Sequence, residues 1–286
     1  MFGAGELLIR IRQEKPLVHH ITNNVTIGDC ADVTLSIGAL PVMAHSAREV
    51  EEMVASARAA VLNIGTLYPE QVSAMVAMGK KAKELGIPVL LDPVGAGATS
   101  YRTDVANHLL RTVRPDVIKG NGGEIGTLAG IRGARVSGVQ SLDTGSDPLL
   151  AAQRLLENLD YEAVVVITGA VDVVTNGSQT ARIHNGHQLL PQVVGSGCMV
   201  GSLIASFAGV EVDRIRAAAA ALAAMGVAGE QAAASLPAGK TTPQEIETDR
   251  TNLAKLGPAG FKVQLLDALF FLTPDQLDRQ ARIEVQ

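Results

Sequence analysis

Short runs of β-branched and aliphatic residues alternate along this chain with longer stretches in which apolar positions recur every third or fourth residue. The runs predict strands over 17–22, 40–43, 59–64, 88–91, 117–119, 163–168, 171–176 and 180–184. The longer stretches predict helices over roughly 3–14, 26–37, 47–57, 69–85, 101–112, 122–129, 147–158, 197–208, 212–235, 260–271 and 274–281. Strands that are apolar throughout belong to a sheet covered on both faces, and strands separated by helices belong to parallel crossovers. The expected fold is α/β, with a mostly parallel central sheet and helices on both faces. Asn176-Gly177-Ser178, between the last two runs, is a hairpin signal, so one sheet edge is expected to be antiparallel.

No repeat, low-complexity tract or composition shift divides the 286 residues, and a single domain over 1–286 is expected. The one long polar connection is 236–258, rich in Pro, Thr and Lys. Aromatic residues are only 3% and Trp is absent, so the core must be aliphatic. The longest apolar stretch, 217–229, is dominated by Ala and is shorter than a bilayer requires, so it reads as a buried helix. Glu6, Arg10 and Arg12 interrupt the first helical pattern where a secretory signal would need an apolar core. A net charge of −5 without any dense Lys/Arg run points away from nucleic acid and membrane surfaces and toward a small-molecule ligand. Cys30 and Cys198 are the only cysteines, too few for a disulfide framework and without metal-ligand spacing, which fits a cytoplasmic protein.

The chemistry concentrates at strand ends, where open parallel sheets bind ligands. Residues 193–201, Val-Val-Gly-Ser-Gly-Cys-Met-Val-Gly, form a glycine-rich turn that opens a helix. Gly195 and Gly197 allow positive φ and close approach, so the amides of Gly195, Ser196, Gly197 and Cys198 are expected to form an anion hole at the helix's positive end. Cys198 then stands in the first helical turn beside the bound anion; read alone, it is equally a small buried apolar residue. Asp92 ends one strand before the loop Pro93-Val94-Gly95-Ala96-Gly97, and Lys119 ends the next before Gly120-Asn121-Gly122-Gly123-Glu124. Asp92 and Glu124 together suit Mg²⁺, which takes one or two carboxylates with waters and phosphates, and Lys119 suits phosphate oxygens as a point charge. Taken singly, Asp92 reads as a turn former and Glu124 as a solvated acid of a first helical turn. Thr168 and Gly169 end another strand on the same edge. Met43 ends the strand at 40–43, where it either covers an apolar ligand or packs in the core. His19 and His20 fall on opposite strand faces, so at most one faces a site. His184 and His187 lack a third ligand and do not read as a metal site.

At these residues the chain resembles the hydroxyethylthiazole kinases of the ribokinase-like superfamily. The likeness runs through Pro16-Leu17-Val18-His19 with Ile21-Thr22-Asn23, residues 38–44, Leu62-Asn63-Ile64-Gly65-Thr66-Leu67, residues 91–98, Gly120-Asn121 with Glu124-Ile125, Ile167-Thr168-Gly169, Gly195-Ser196-Gly197-Cys198 and residues 257–261. It implies a ribokinase-like three-layer fold and ATP- and Mg²⁺-dependent phosphorylation of the hydroxyl of 4-methyl-5-(2-hydroxyethyl)thiazole in thiamine salvage. It also implies a homotrimer with active sites at subunit interfaces. By motif position it assigns Lys119 and Thr168 to ATP, Met43 and Gly195 to the thiazole, Cys198 to the catalytic position, and Asp92 and Glu124 to support of the metal. Asp32, Lys119, Ala170 and Val194 stand where the family commonly has Asn, Arg, Glu and Thr. A kinase for a related vitamin alcohol, of hydroxymethylpyrimidine or pyridoxal type, is the nearest alternative. A thiol hydrolase is disfavoured because Ser196 and Val200 occupy the flanks where a nucleophile elbow needs glycines. A nicotinamide enzyme lacks its Gly-x-Gly-x-x-Gly after the first strand. A non-catalytic vitamin-binding regulator would have no need of Asp92, Glu124 and the anion hole.

Overall fold

The computed structural model describes residues 3–131, 136–137, 140–141, 147–235 and 257–286, so nearly all of the polar connection expected over 236–258 lies outside the described residues. The chain runs α1 (Ala4–Glu14), β1 (Leu17–Ile21), α2 (Ile27–Ile37), β2 (Leu40–Val42), α3 (Val50–Ala55), β3 (Ala59–Asn63), α4 (Pro69–Glu84) and β4 (Val89–Asp92). It continues through α5 (Ser100–Val113), β5 (Val117–Asn121), α6 (Gly122–Leu128), the small pair β6 (Val136–Ser137) and β7 (Gln140–Ser141), and α7 (Pro148–Glu157). Then follow β8 (Val164–Thr168), β9 (Asp172–Thr175), β10 (Thr180–Ile183), α8 (Ser196–Ala208), α9 (Arg214–Ala234), α10 (Pro258–Phe271), α11 (Pro274–Gln280) and β11 (Ile283–Val285).

The main sheet has the order β11-β10-β9-β8-β5-β4-β3-β1-β2. Its six strands from β2 to β8 are parallel, while β9, β10 and β11 pair antiparallel at the other edge, β9 and β10 through the expected hairpin. β11 was not expected from the sequence: its three residues carry no pattern of their own, and pairing with β10 defines them. α3 is also shorter than the predicted 47–57.

Two aliphatic cores lie on opposite faces of the sheet. One holds the buried side chains of α1, α2, α8, α9, α10 and α11, and the other those of α3 to α7. This is the expected helix–sheet–helix layering. α9 is 21 residues long and by length and composition could cross a membrane, but most of it is buried between α8, α10 and the sheet. The buried-helix reading of its alanine stretch therefore holds, although the helix extends well beyond 217–229.

The strand order also makes a crevice. From β1 the chain moves outward to β2, then returns across β1 to form β3 on the other side. At such a reversal the connections leave the carboxyl ends of neighbouring strands in opposite directions and open a gap that ligands fill.

Candidate active site

α8 points its N-terminus at that gap. Its N-cap, Gly195, has φ +87°, and a Cβ there would lie 2.6 Å from Thr26 Cγ2 and 3.3 Å from Asp29 Oδ2. Both the backbone and the close approach of α2 therefore demand glycine. Asp29 is itself ion-paired to Lys262 of α10. The hole is narrower than the sequence suggested. The Ser196 amide donates to Val193 O at 3.2 Å, leaving the N–H groups of Gly195, Gly197 and Cys198 without a partner among the described residues. Gly197 lies within the helix and does not use positive φ; its bare Cα instead faces Lys119, whose Nζ is 3.4 Å from where a Cβ would stand. A helix N-terminus and a buried ammonium thus meet at one point, which is an anion-binding arrangement.

Below it lies a charged floor. Lys119 on β5, Asp92 at the end of β4 and Glu124 in the first turn of α6 are all buried. Lys119 Nζ is 3.4 Å from both Asp92 oxygens. Glu124 accepts the Gly95 amide on Oε1 and the Asn121 amide on Oε2, each at 2.8 Å, and completes a capping box with Asn121. It is thus a buried tether between two loops, not the solvated acid that its position alone suggested. Burial, then the Asp92 charge, pushes the Glu124 carboxyl up to about 7, against the pull of Lys119 and the two amides. Burial pushes Asp92 up as well, opposed by Lys119 and Asn63. For Lys119 burial acts downward, but Asp92, Cys198 and Glu124 outweigh it and hold the ammonium above its usual range. With both carboxylates ionised, one ammonium would leave an excess of negative charge, and hard oxygen donors of that kind fit a divalent cation. No group of three or more His, Cys, Asp or Glu converges among the described residues, so such a cation would draw its other ligands from water and phosphate.

Beside the charged floor is a neutral cluster. Cys198 Sγ accepts from Asn63 Nδ2 at 3.3 Å and lies 3.5 Å from Asn23 Nδ2. Asn63 also donates to Asp92 Oδ2 at 2.9 Å, and its Oδ1 accepts from Asn23 and from the Gly65 amide. Asn23 Oδ1 caps the turn by accepting the Val25 and Thr26 amides. Burial, with Asp92 adding to it, raises the Cys198 thiol, so it is protonated near neutrality despite Lys119. The two histidines of β1 divide as strand alternation requires: His19 Nε2 meets Ala44 O and His20 Nε2 meets Ser202 Oγ. Burial lowers His20 to about 4, so it is neutral.

Asn23 and Asn63 were not singled out from the sequence, although both obey the strand-end rule that found Asp92. Asp172, also unremarked, heads β9, accepts the Gly169 amide at 2.9 Å, and is pushed up to about 7 by burial. Thr168 ends β8 opposite Asn121, with its hydroxyl 3.4 Å from Gly120 O. Met43 follows the edge strand β2, half-buried and beyond β1 from the cluster. His184 Nε2 lies 3.2 Å from Glu284 Oε2, while the His187 ring lies tilted 6.1 Å from that of Phe261.

The family profile that matches residues 8–275 describes hydroxyethylthiazole kinases. A hydroxyethylthiazole kinase of Roseiflexus sp. (strain RS-1) is 47% identical over 279 residues, which cover 98% of this chain and 95% of that protein. A solved structure of the hydroxyethylthiazole kinase protein from Pyrococcus horikoshii OT3 superimposes with a TM-score of 0.83 at 36% identity, covering 100% of both chains. Pyridoxal kinase from Staphylococcus aureus, solved with AMP-PCP and pyridoxal, has a TM-score of 0.60 at 11% identity over 95% of this chain and 98% of that one, a likeness of fold alone.

Proposed function

The chain belongs to the hydroxyethylthiazole kinase family, and from that membership we propose that it transfers the γ-phosphoryl group of ATP to the hydroxyl of 4-methyl-5-(2-hydroxyethyl)thiazole, with Mg²⁺, in thiamine salvage. The observation that carries this reading is the meeting of the α8 N-terminus with Lys119 Nζ at Gly197, one residue from the Cys198 thiol. Phosphoryl transfer asks little covalent chemistry of the protein and much positioning and charge neutralisation. The unpaired amides of Gly195, Gly197 and Cys198 receive the equatorial oxygens of the transferring group while Lys119 offsets their charge. The substrate hydroxyl lies against Cys198 Sγ, which orients its proton; a protonated thiol is a weak base, and in a loose transition state that proton leaves late. Asp92 and Glu124 would hold Mg²⁺ with help from water and phosphate, and the ion would supply neutralisation of phosphate charge.

In the same reading Thr168 contacts the nucleotide at the β5–β8 end of the edge, and Gly195 and Met43 enclose the ring. The enzyme is a single catalytic unit over residues 1–286, acts in the cytoplasm, and assembles as a homotrimer with sites at its interfaces. The exposed apolar side chains Val25, Leu35, Leu40 and Val194, beside α2 and the hole, support that assembly. A panel of alcohols assayed with ATP and Mg²⁺ tests the substrate: kcat/KM is expected to be highest for the thiazole, and a higher value for hydroxymethylpyrimidine or pyridoxal overturns the assignment. Sedimentation tests the assembly, an active monomer being the contrary result.

A further inference from the structure

Arg102 lies in the first turn of α5, outside the site, yet its guanidinium binds the two loops that carry the site's carboxylate and amide groups. Its Nη1 donates to Ile64 O at 2.9 Å and to Val94 O at 2.8 Å, and its Nη2 donates to Gly65 O at 2.8 Å. The first loop follows β3 and the second follows β4, whose last paired residues are Asn63 and Asp92. One further ladder bond, from the Ile64 amide to Asp92 O at 3.2 Å, closes the strand pair. Past that bond the β3–β4 ladder ends, and the guanidinium supplies the hydrogen-bond partner of the Ile64, Gly65 and Val94 carbonyls. Arg102 therefore continues the β3–β4 connection with a side chain where the backbone can no longer do so.

Each clamped loop also holds a working group. Gly65 donates its amide to Asn63 Oδ1 at 2.9 Å, and a Cβ on it would lie 2.8 Å from Asn23 Cβ, so its place fixes both amides around Cys198. Gly95, next to Val94, donates its amide to Glu124 Oε1 at 2.8 Å. A planar fork with donors in fixed directions can satisfy three carbonyls on two loops, whereas an ammonium on a flexible stem cannot hold that geometry.

We propose that Arg102 is a positioning residue for phosphoryl transfer, clamping the loops after β3 and β4 so that the Asn23–Asn63–Cys198 cluster and the Asp92–Glu124–Lys119 floor keep their spacing. The link to turnover rests on the kinase reading above; the clamp itself does not. The test compares wild type with Arg102→Lys, Arg102→Met and Arg102→Ala. Displacements of about 1 Å cost about a hundredfold in rate, so kcat is expected to fall about 10- to 100-fold in all three while KM for both substrates changes less than about threefold. Lys should not rescue, whereas millimolar guanidinium added to Arg102→Ala should restore part of kcat and equal NaCl should not. Hydrogen exchange by mass spectrometry, read without substrates, should show faster exchange confined to peptides covering 62–67 and 93–97 in Arg102→Met. A kcat within twofold of wild type in Arg102→Met, full rescue by Lys, or acceleration spread over the whole chain would overturn the proposal. A wild type that fails to phosphorylate the thiazole would instead refute the kinase reading, and the exchange experiment would still decide the clamp.

Discussion

Asp92, at the end of β4, and Lys119, in the middle of β5, meet as buried opposite charges, whereas Asn63, at the end of β3, and Asn23, two residues past β1, meet as neutral amides around one thiol. The two clusters share a sheet edge and touch through a single hydrogen bond, Asn63 Nδ2 to Asp92 Oδ2. The charged one suits phosphate and metal, whose charges compensate buried carboxylates and ammonium. The neutral one suits an uncharged alcohol, because donors and acceptors are satisfied there without an ion that would demand a counter-charge. The division tells which end of the crevice should receive which substrate.

Removing the cation should break that comparison most severely. Lys119→Met leaves two buried carboxylates without their partner, which is expected to destabilise by about 3–5 kcal/mol and to lower kcat about a thousandfold. Thermal unfolding and turnover check both, and a variant of near-normal rate would show that the charged half does not hold the phosphoryl group. Next in size is Cys198→Ala, expected to lose about ten- to a thousandfold in kcat. Cys198→Asp should keep or raise it, because an ionised carboxylate accepts the hydroxyl proton better than a protonated thiol and the Asn23 and Asn63 amides lie in reach to steady its charge. A covalent adduct on Cys198 seen by mass spectrometry would mark a nucleophile instead.

The bridge between the halves is expected to matter less. Asn63→Ala removes donors to both Asp92 and Cys198 and should lower kcat about tenfold, with the nucleotide KM nearly unchanged. A loss confined to nucleotide binding would mean that Asn63 serves only the charged side.

A separate effect, on stability rather than rate, concerns pH. Folding pushes the Glu124 carboxyl from its ordinary 4.5 up to about 7, chiefly through burial and then the Asp92 charge. Between those values the folded protein binds more protons, so the stability of the metal-free protein should fall as pH rises through about 4.5 to 7 and level off above. Asp172, raised from 3.8 to about 7, adds a slope of the same sign. Denaturant unfolding of wild type and Glu124→Gln at several pH values is the measurement, and the variant's curve should be flatter. An equal slope in both would place the proton uptake elsewhere.

The charged half was legible in the sequence because Asp92 and Lys119 end apolar runs, and the strand-end rule needs nothing more. Asn23 and Asn63 stand in similar places but were passed over, since an amide side chain serves turns and sites alike and only tertiary contact separates the two uses. The glycine-rich opening of α8 was legible as a helix N-terminus at the sheet edge. That Ser196 spends its amide on Val193 was not, because a turn's internal hydrogen bond depends on dihedral angles that several sequences would permit. Glu124 shows the converse limit: spacing gave its helix turn, but its burial comes from the neighbouring β4 loop folding over it. Most strands followed from their apolar runs, whereas β11 exists only because β10 offers it an edge.

α9 lies directly behind α8, and Ala217–Ala221, Ala223 and Ala224 within it are fully buried. An alanine side chain has no rotamers to lose on burial, so the platform that sets the height of the anion hole is ordered at almost no side-chain entropy. It also offers no alternative packings. A Leu or Met wall can reshuffle to admit a shift of its neighbour, but methyl groups in contact with a backbone can only stay or be pushed apart. α8 is therefore seated against something closer to a machined spacer than to a filled core, and methylenes added to α9 on the side that meets α8 should be felt as displacement rather than absorbed by repacking.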